Sequence, residues 1–417
     1  MSDVPSVLFH EILRRLPAES LLRFRAVCKG WRRLIDHPSF IRTHASNQSS
    51  STTLLIRNSI GTRFCSLTLD SLNYKDAEQT IDVTPVKAVY CTGVPRATAL
   101  PVPSCNGLIL NSHYRTNKTW VIWNPLTRTF HELPEPDIET GLMGSGIGYD
   151  SASDDYKVVR IDRLFRHGKS VYQTSVYSLK MESWRIIKDC PYDISWVGPT
   201  RGIFLGGAIH WLSLHDIIIA LDLETEEYRE FSMPVLPPNS KELFETRLDV
   251  LGGCLVMSFY YLIPRMEGWM MKDYGDEKSW VKLFSFGGIG SIGIRLKPLA
   301  YFKNKGRVFM QRDEEFFWLD IKNHSAKKVV IHGLPDDFTS QIMPGSLFRL
   351  DESCAAAVKI TAGMKRKRKT TKNKADARVE HSVSITDIRS RVEHSVSIAD
   401  IPSRSDSTSK ANWSSNY

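Results

Sequence analysis

The chain has 417 residues, 42% of them hydrophobic and 24% charged, enough for one large domain and a small one. No apolar run reaches the roughly 18 residues of a membrane-spanning helix, which argues against a membrane protein. The net charge of +9 sits at the ends: residues 1–43 carry eight basic against four acidic side chains, and residues 364–417 twelve against six. The middle is near neutral, so a nucleic-acid partner is not expected there.

Met1 to Arg15 mixes charged with apolar residues and does not read as a signal peptide. The sequons at Asn47, Asn117, Asn323 and Asn412 are therefore expected to stay unmodified. The seven cysteines are scattered and odd in number, without Cys-x-x-Cys spacing, so reduced thiols are expected rather than disulfides or a zinc site. Pro5 suits a first helical turn. Leu8, Ile12 and Leu16 follow four apart on one face. Pro17 breaks that helix and starts a second, with Leu21, Phe24 and Cys28 three or four apart. Val27, Trp31 and Ile35 mark a third helix, which His37-Pro38 is expected to stop. Three helices of about ten residues cannot bury a sufficient core alone, so their apolar faces need a partner surface.

Residues 44–53 form a polar break and are read as a linker. From 54 to 360 the texture changes to short apolar runs between Gly, Asn, Asp and Pro, as in Trp120–Trp123, Tyr156–Ile161 and Ile217–Leu221. A phrase recurs: Trp123-Asn124-Pro125-Leu126-Thr127-Arg128 leads to Leu133-Pro134, Leu221-Asp222-Leu223-Glu224-Thr225-Glu226 leads to Met233-Pro234, and Leu319-Asp320-Ile321-Lys322 leads to Leu334-Pro335. Val176 to Trp184 is a looser copy. The starts at 123, 176, 221 and 319 imply a period near 45 to 50 residues. That predicts a mostly β fold, a kelch-like β-propeller of about six units; a β-sandwich with hairpin insertions is the alternative. Residues 361–417 are rich in Ser, Lys and Arg and contain a 13-residue tandem duplication, Arg378–Ser390 and Arg391–Ser403. They are read as a disordered tail.

The string Val4-Pro5, Glu11 to Pro17, Ser20 to Arg25, Val27-Cys28-Lys29, Trp31 and Pro38-Ser39-Phe40 resembles an F-box over residues 1–43, with Val4 where the family often has Leu. The resemblance implies docking on a Skp-type adaptor, and through it a cullin scaffold. It implies adaptor contacts among Pro5, Leu8, Ile12, Leu13, Leu16, Pro17, Leu21, Leu22, Val27, Cys28 and Trp31, some of which must instead pack the helices together. From about 100 to 330, the phrases Ser104-Cys105-Asn106-Gly107-Leu108, Trp123-Asn124-Pro125, Gly148-Tyr149-Asp150, Gly207 to Leu212 and Leu251-Gly252-Gly253-Cys254-Leu255 resemble the F-box-associated interaction domain of plant F-box proteins. That family includes receptors used in defence and self-incompatibility. The resemblance implies a non-catalytic substrate receptor of a ubiquitin ligase, without cofactor, acting on an unidentified protein substrate in cytoplasm and nucleus.

Aromatic and arginine residues in loop-like segments are the candidate substrate contacts: Arg115, Trp196, Arg201, Tyr260, Tyr261, Arg265 and Trp269. A ring in a propeller is more often blade core than contact. Gly144-Ser145-Gly146-Ile147-Gly148 looks like a phosphate-cradling loop, but no helix follows to hold a phosphate, so a glycine-rich turn between strands is expected. His210 is expected in a strand and not as a catalytic base. A propeller enzyme would need convergent acids or histidines, which no motif announces. The block Lys365, Arg366, Lys367, Arg368, Lys369 reads as a nuclear-import signal or a solvated charge run.

Overall fold

The apolar runs become strands because each is bounded by residues that force a turn. Asn124 Oδ1 accepts from the backbone N–H of Leu126 and Thr127, at 3.0 and 3.3 Å. Asp222 Oδ1 does the same for Glu224 and Thr225, and Asp320 Oδ1 for Lys322 and Asn323. Four residues after each lies a left-handed residue, Arg128, Glu226 or His324. A short side chain that caps its own turn is the usual reason for Asn or Asp at such a corner. The recurring phrase is this corner, repeated in three sheets. Ser178 Oγ, accepting from Met181 at 3.0 Å, is the looser fourth copy.

The computed structural model describes residues 6–47, 52–58, 64–69, 81–82, 84–86, 104–112, 120–136, 141–194, 200–213, 215, 217–236, 243–262, 265–287 and 296–350. Within them six antiparallel sheets of four strands each radiate as the blades of a propeller. Blade 1 comprises Phe338–Pro344, Thr52–Asn58, Phe64–Thr68 and Thr84–Val86 from axis to rim. Blade 2 comprises Ser104–Cys105, Leu108–Ser112, Trp120–Asn124 and Thr129–Leu133. Blade 3 runs from Leu142–Asp150 through Asp155–Arg166 and Lys169–Ser178 to Ser183–Ile186, with Thr200–Arg201 added in parallel at its inner edge. Blade 4 runs from Ile203–Leu205 to Tyr228–Ser232, blade 5 from Leu243–Leu251 to Trp280–Gly287, and blade 6 from Leu296–Phe302 to Ser325–Val329. Blade 5 lacks the recurring phrase because its outer turn is longer and includes a short 3₁₀ helix, Glu277–Ser279. The propeller reading holds, and the sandwich does not.

The last strand of the propeller pairs with the first, from Thr52↔Pro344 to Asn58↔Phe338. This pairing closes the ring, which removes the exposed edge that an open row of strands would leave. The cores lie between blades: Trp120 and Tyr177 between blades 2 and 3, Trp211 between 3 and 4, Phe259 between 4 and 5. The glycine-rich run differs from its expected turn. It is the inner strand of blade 3. A Cβ on Gly146 would stand 2.6 Å from Ile209 Cγ2, and one on Gly148 would strike Leu223 and Phe204. Glycine is needed there because blade 4 packs directly on the backbone. His210 is in a strand, as expected. It is fully buried, with Nδ1 3.0 Å from the Ile203 carbonyl and Nε2 2.8 Å from the Tyr274 hydroxyl. Burial lowers its pKa to about 4, so the ring is neutral and serves to tie blade 4 to the turn of blade 5.

Buried charges of blade 3 are paired within the blade and touch its neighbours at the same seams. Arg160 and Asp162, both almost inaccessible, form a bidentate pair at 2.6 and 2.7 Å beneath the Trp120 ring. Lys157 bridges blades 3 and 4 through Asp150 at 2.9 Å and the Leu223 carbonyl at 2.7 Å. Overpacking a closed seam costs about 1 to 3 kcal/mol. Gly148→Val is therefore expected to lower unfolding stability by at least that much, measured by chemical denaturation.

Candidate docking sites at the two ends of the propeller

Four helices precede the ring: α1 Ser6–Arg14, α2 Ala18–Phe24, α3 Lys29–Ile35 and α4 Pro38–Asn47. The fourth was not expected. Pro38 restarts the chain instead of ending it, because proline is at home in a first helical turn. His37 assists: its Nδ1 accepts from the Ser39 N–H at 3.3 Å, and its carbonyl accepts from Ile41 at 3.1 Å. Helix α4 and strand Thr52–Asn58 thus take up most of the stretch read as a linker. Cys28 begins α3, its Sγ accepting from the Trp31 N–H at 3.4 Å.

These helices share a core of Leu13, Ala18, Leu21, Ile35 and Phe40. Leu347, from the strap that follows the closing strand, completes it, and Leu126 from a turn of blade 2 packs against it. Asn124 Nδ2 donates to the Ser346 and Phe348 carbonyls at 3.1 and 2.6 Å and so fixes that strap. Arg42 reaches Asp154 of blade 3 at 2.5 Å, and Asp154 also accepts from the Tyr149 hydroxyl. Between α4 and blade 3 a groove of about 680 Å³ remains, lined by Pro38, Ile41, Tyr149, Tyr156, Phe348 and Leu350.

The structure divides the eleven expected adaptor positions. Leu13 and Leu21 are 1% and 0% exposed. They hold the helices together and are corrected from contact to core. Ile12 and Val27 are 54% and 63% exposed, and Pro17 and Cys28 also face solvent. Leu16, Leu22 and Trp31 are half-buried and lie at the margin of the core. Trp31 packs on Phe9 and Phe24, with ring centroids 6.0 and 5.4 Å apart. Pro5 and the Leu8 side chain lie outside the described residues.

Strand order assigns the propeller's two ends. In blades 2 to 6 the turns joining first to second and third to fourth strands emerge on one side, because the strands alternate in direction, and in blade 1 the end of Phe338–Pro344 and the start of Thr52–Asn58 lie on that side too. The helices sit on that side, against Leu126, Asp154 and the strap. Links from second to third strand, and from blade to blade, emerge on the opposite end, which the helices leave open. Arg265, exposed at the start of its strand with its guanidinium 4.0 Å over the Tyr261 ring, is on that end. So is Phe165, 73% exposed near the tip of the long hairpin Asp155–Ser178 and 5.0 Å under Arg163. The sequence reading passed over Phe165; its signal was a strand run, Tyr156 to Arg166, longer than any neighbour's. Tyr260 and Tyr261 are both 3% exposed and are corrected to blade core, Tyr260 donating to the Leu296 carbonyl at 2.5 Å. Trp269 is half-buried, donating to Glu267 at 3.2 Å beneath Lys282. Arg115, Trp196 and Lys365–Lys369 lie outside the described residues.

Arg201 instead faces the propeller axis and pairs with Asp249 at 2.5 Å. It lines a cavity of about 120 Å³ together with Ser104, Lys297 and Gln341, contributed by inner strands. Lys297 Nζ donates to the Ser340 carbonyl at 2.6 Å. Desolvation, then Arg201, lowers its ammonium to about 7 from the ordinary 10.5.

Comparison with known proteins matches residues 60–346 to the F-box associated beta propeller domain and residues 1–43 to the F-box domain. The chain belongs to the F-box-associated β-propeller family. The F-box protein CPR1 of Arabidopsis thaliana is 29% identical over 382 residues, 83% of this chain and 89% of that protein. An F-box/kelch-repeat protein of the same plant is 30% identical, covering 69% of this chain and 80% of its own length. A further Arabidopsis F-box protein is 27% identical over 83% and 90%. The chain is thus similar to plant F-box proteins along both its F-box and its propeller.

Two outcomes follow from these geometries. Ile12→Asp with Val27→Asp should leave the melting temperature unchanged and weaken adaptor capture, while Leu13→Ala should cost about 2 to 5 kcal/mol of stability; denaturation and pull-down together separate the two. For Lys297, the unfolded chain keeps a proton that the folded chain releases between pH 7 and pH 10.5. Its contribution to stability therefore rises with pH across that window. Lys297→Met should stabilise the fold most at or below neutral pH, with the gain shrinking toward pH 10.5 in denaturation curves.

Proposed function

We propose that this chain is the substrate-recognition subunit of an SCF-type ubiquitin ligase. The F-box face around Ile12, Pro17, Val27 and Cys28 docks a Skp-type adaptor and, through it, a cullin. The open end of the propeller captures a protein substrate for ubiquitination and proteasomal degradation. The observation that carries this reading is the division of the ring: the F-box occupies the end that bears Leu126 and Asp154, and among the described residues the other end carries no helix and exposes Arg265 and Phe165. Exposed aromatic and arginine side chains on loops held by a rigid frame are the usual makings of a protein-binding surface.

The bond-forming chemistry belongs to the conjugating enzyme that the cullin recruits. This chain contributes proximity, raising the effective concentration of substrate lysines. A role in defence or self-recognition is supported by the family resemblance, and residence in nucleus as well as cytoplasm by the basic block Lys365–Lys369.

The test is affinity purification under proteasome inhibition with three forms of the full chain. Wild type should recover adaptor, cullin and substrate. Ile12→Asp with Val27→Asp should lose adaptor and cullin yet keep the substrate. Arg265→Glu with Phe165→Ala should keep the adaptor and lose the substrate. Recovery of no adaptor with wild type would refute the proposal.

A further inference from the structure

The axial cavity has an excess of donors. Four cations stand at it or close to its wall: Arg201 and Lys297 in the lining, with Arg57 and Arg247 near enough to act on the Lys297 ammonium. Asp249 pairs with Arg201 at 2.5 Å and Glu245 with Arg247 at 2.7 Å. Lys297 has the Ser340 carbonyl at 2.6 Å and forms no salt bridge among the described residues. Beside it Gln341, also in the lining, carries a buried Nε2 that has no acceptor. Buried donors are almost always satisfied, and the few that are not call for an explanation.

Size points the same way. The cavity of about 120 Å³ exceeds several times the space that one ordered water needs, so it has room for a tetrahedral oxyanion. Its lining is polar where the seams between blades are apolar, so it is not a packing defect. Arg201 has N–H donors beyond the one on Asp249.

We propose that this cavity binds one phosphate-class oxyanion through the Lys297 ammonium, the Gln341 amide and the Arg201 guanidinium. The anion supplies the missing acceptors and offsets the crowded positive charge, which in a desolvated site is felt more strongly than in water. The lowered Lys297 ammonium agrees with a cation waiting for its counter-charge. This site is independent of which protein the open end captures.

Calorimetric titration of the full chain at pH 6.5 tests it, with inorganic phosphate, sulfate, chloride and a phosphoserine tripeptide as separate probes. Saturable binding of phosphate or sulfate at one per chain, with chloride silent, is expected. Lys297→Met should weaken it about tenfold or more, and Lys297→Arg should restore part of it. Gln341→Leu, which leaves the charge in place, gives a second, independent reading and should also weaken binding. A tripeptide that binds more tightly than free phosphate identifies a phosphoryl group carried on a ligand; binding of the inorganic ions alone identifies the free ion. No saturable heat with any oxyanion, or an affinity unchanged in both Lys297→Met and Gln341→Leu, would overturn the proposal.

Discussion

One short length of chain, 338–347, holds the two functional parts in register. Phe338–Pro344 pairs with Thr52–Asn58 and closes the ring. The next residues put Leu347 into the F-box core, while Asn124 clamps the carbonyls on either side of it. A helical module of this size has too little apolar surface to stand alone. Here it is completed from the far end of the sequence. The segment that closes the propeller therefore also completes the F-box core, and the F-box is fixed on the frame of the blades.

The buried charges follow a related logic. Arg160 with Asp162, and Lys157 with Asp150, sit in seams where a greasy pair would pack as well. A buried pair is weak support for stability, since desolvation offsets much of the attraction. What Lys157 does supply is register: a one-residue slip of its strand would turn the ammonium to the opposite face, away from Asp150 on the neighbouring strand and from the Leu223 carbonyl of blade 4. Similar blades with interchangeable apolar cores need such marks to pack in the right order.

What the sequence disclosed, and what it hid, divides by range. The corners at Asn124, Asp222 and Asp320 are local hydrogen-bonding devices, and they were legible as a repeat. The paired left-handed residues Asn106-Gly107, Gly206-Gly207 and Gly252-Gly253, which turn the inner hairpins of blades 2, 4 and 5, are a second local device, and the sequence reading did not single them out as turns. Long-range decisions were hidden. Two stripes of α1 have the same spacing of four, and Leu13 turns inward while Ile12 turns outward because Leu347 lies some 330 residues away. Pro38 reads equally as a stop or a start until its neighbour His37 is seen capping. Tyr260 and Tyr261 resemble loop aromatics but are claimed by neighbouring blades, Tyr260 by blade 6 and Tyr261 by blade 4. The Gly144–Gly148 run is glycine for the sake of Ile209 and Leu223, more than sixty residues on.

The alternation of strand direction has a consequence for how such a chain can change over generations. Lengthening a surface connection costs little, about 0.6 kcal/mol for each doubling, provided that nothing rigid leans on it. On the F-box end the described turns are braced by helices and strap, and an insertion there would shift the F-box on its frame. On the other end the described strand ends touch none of these helices. A gene copy could lengthen its connections there repeatedly and keep both its ring and its F-box, so the same scaffold can take on a new surface without being rebuilt.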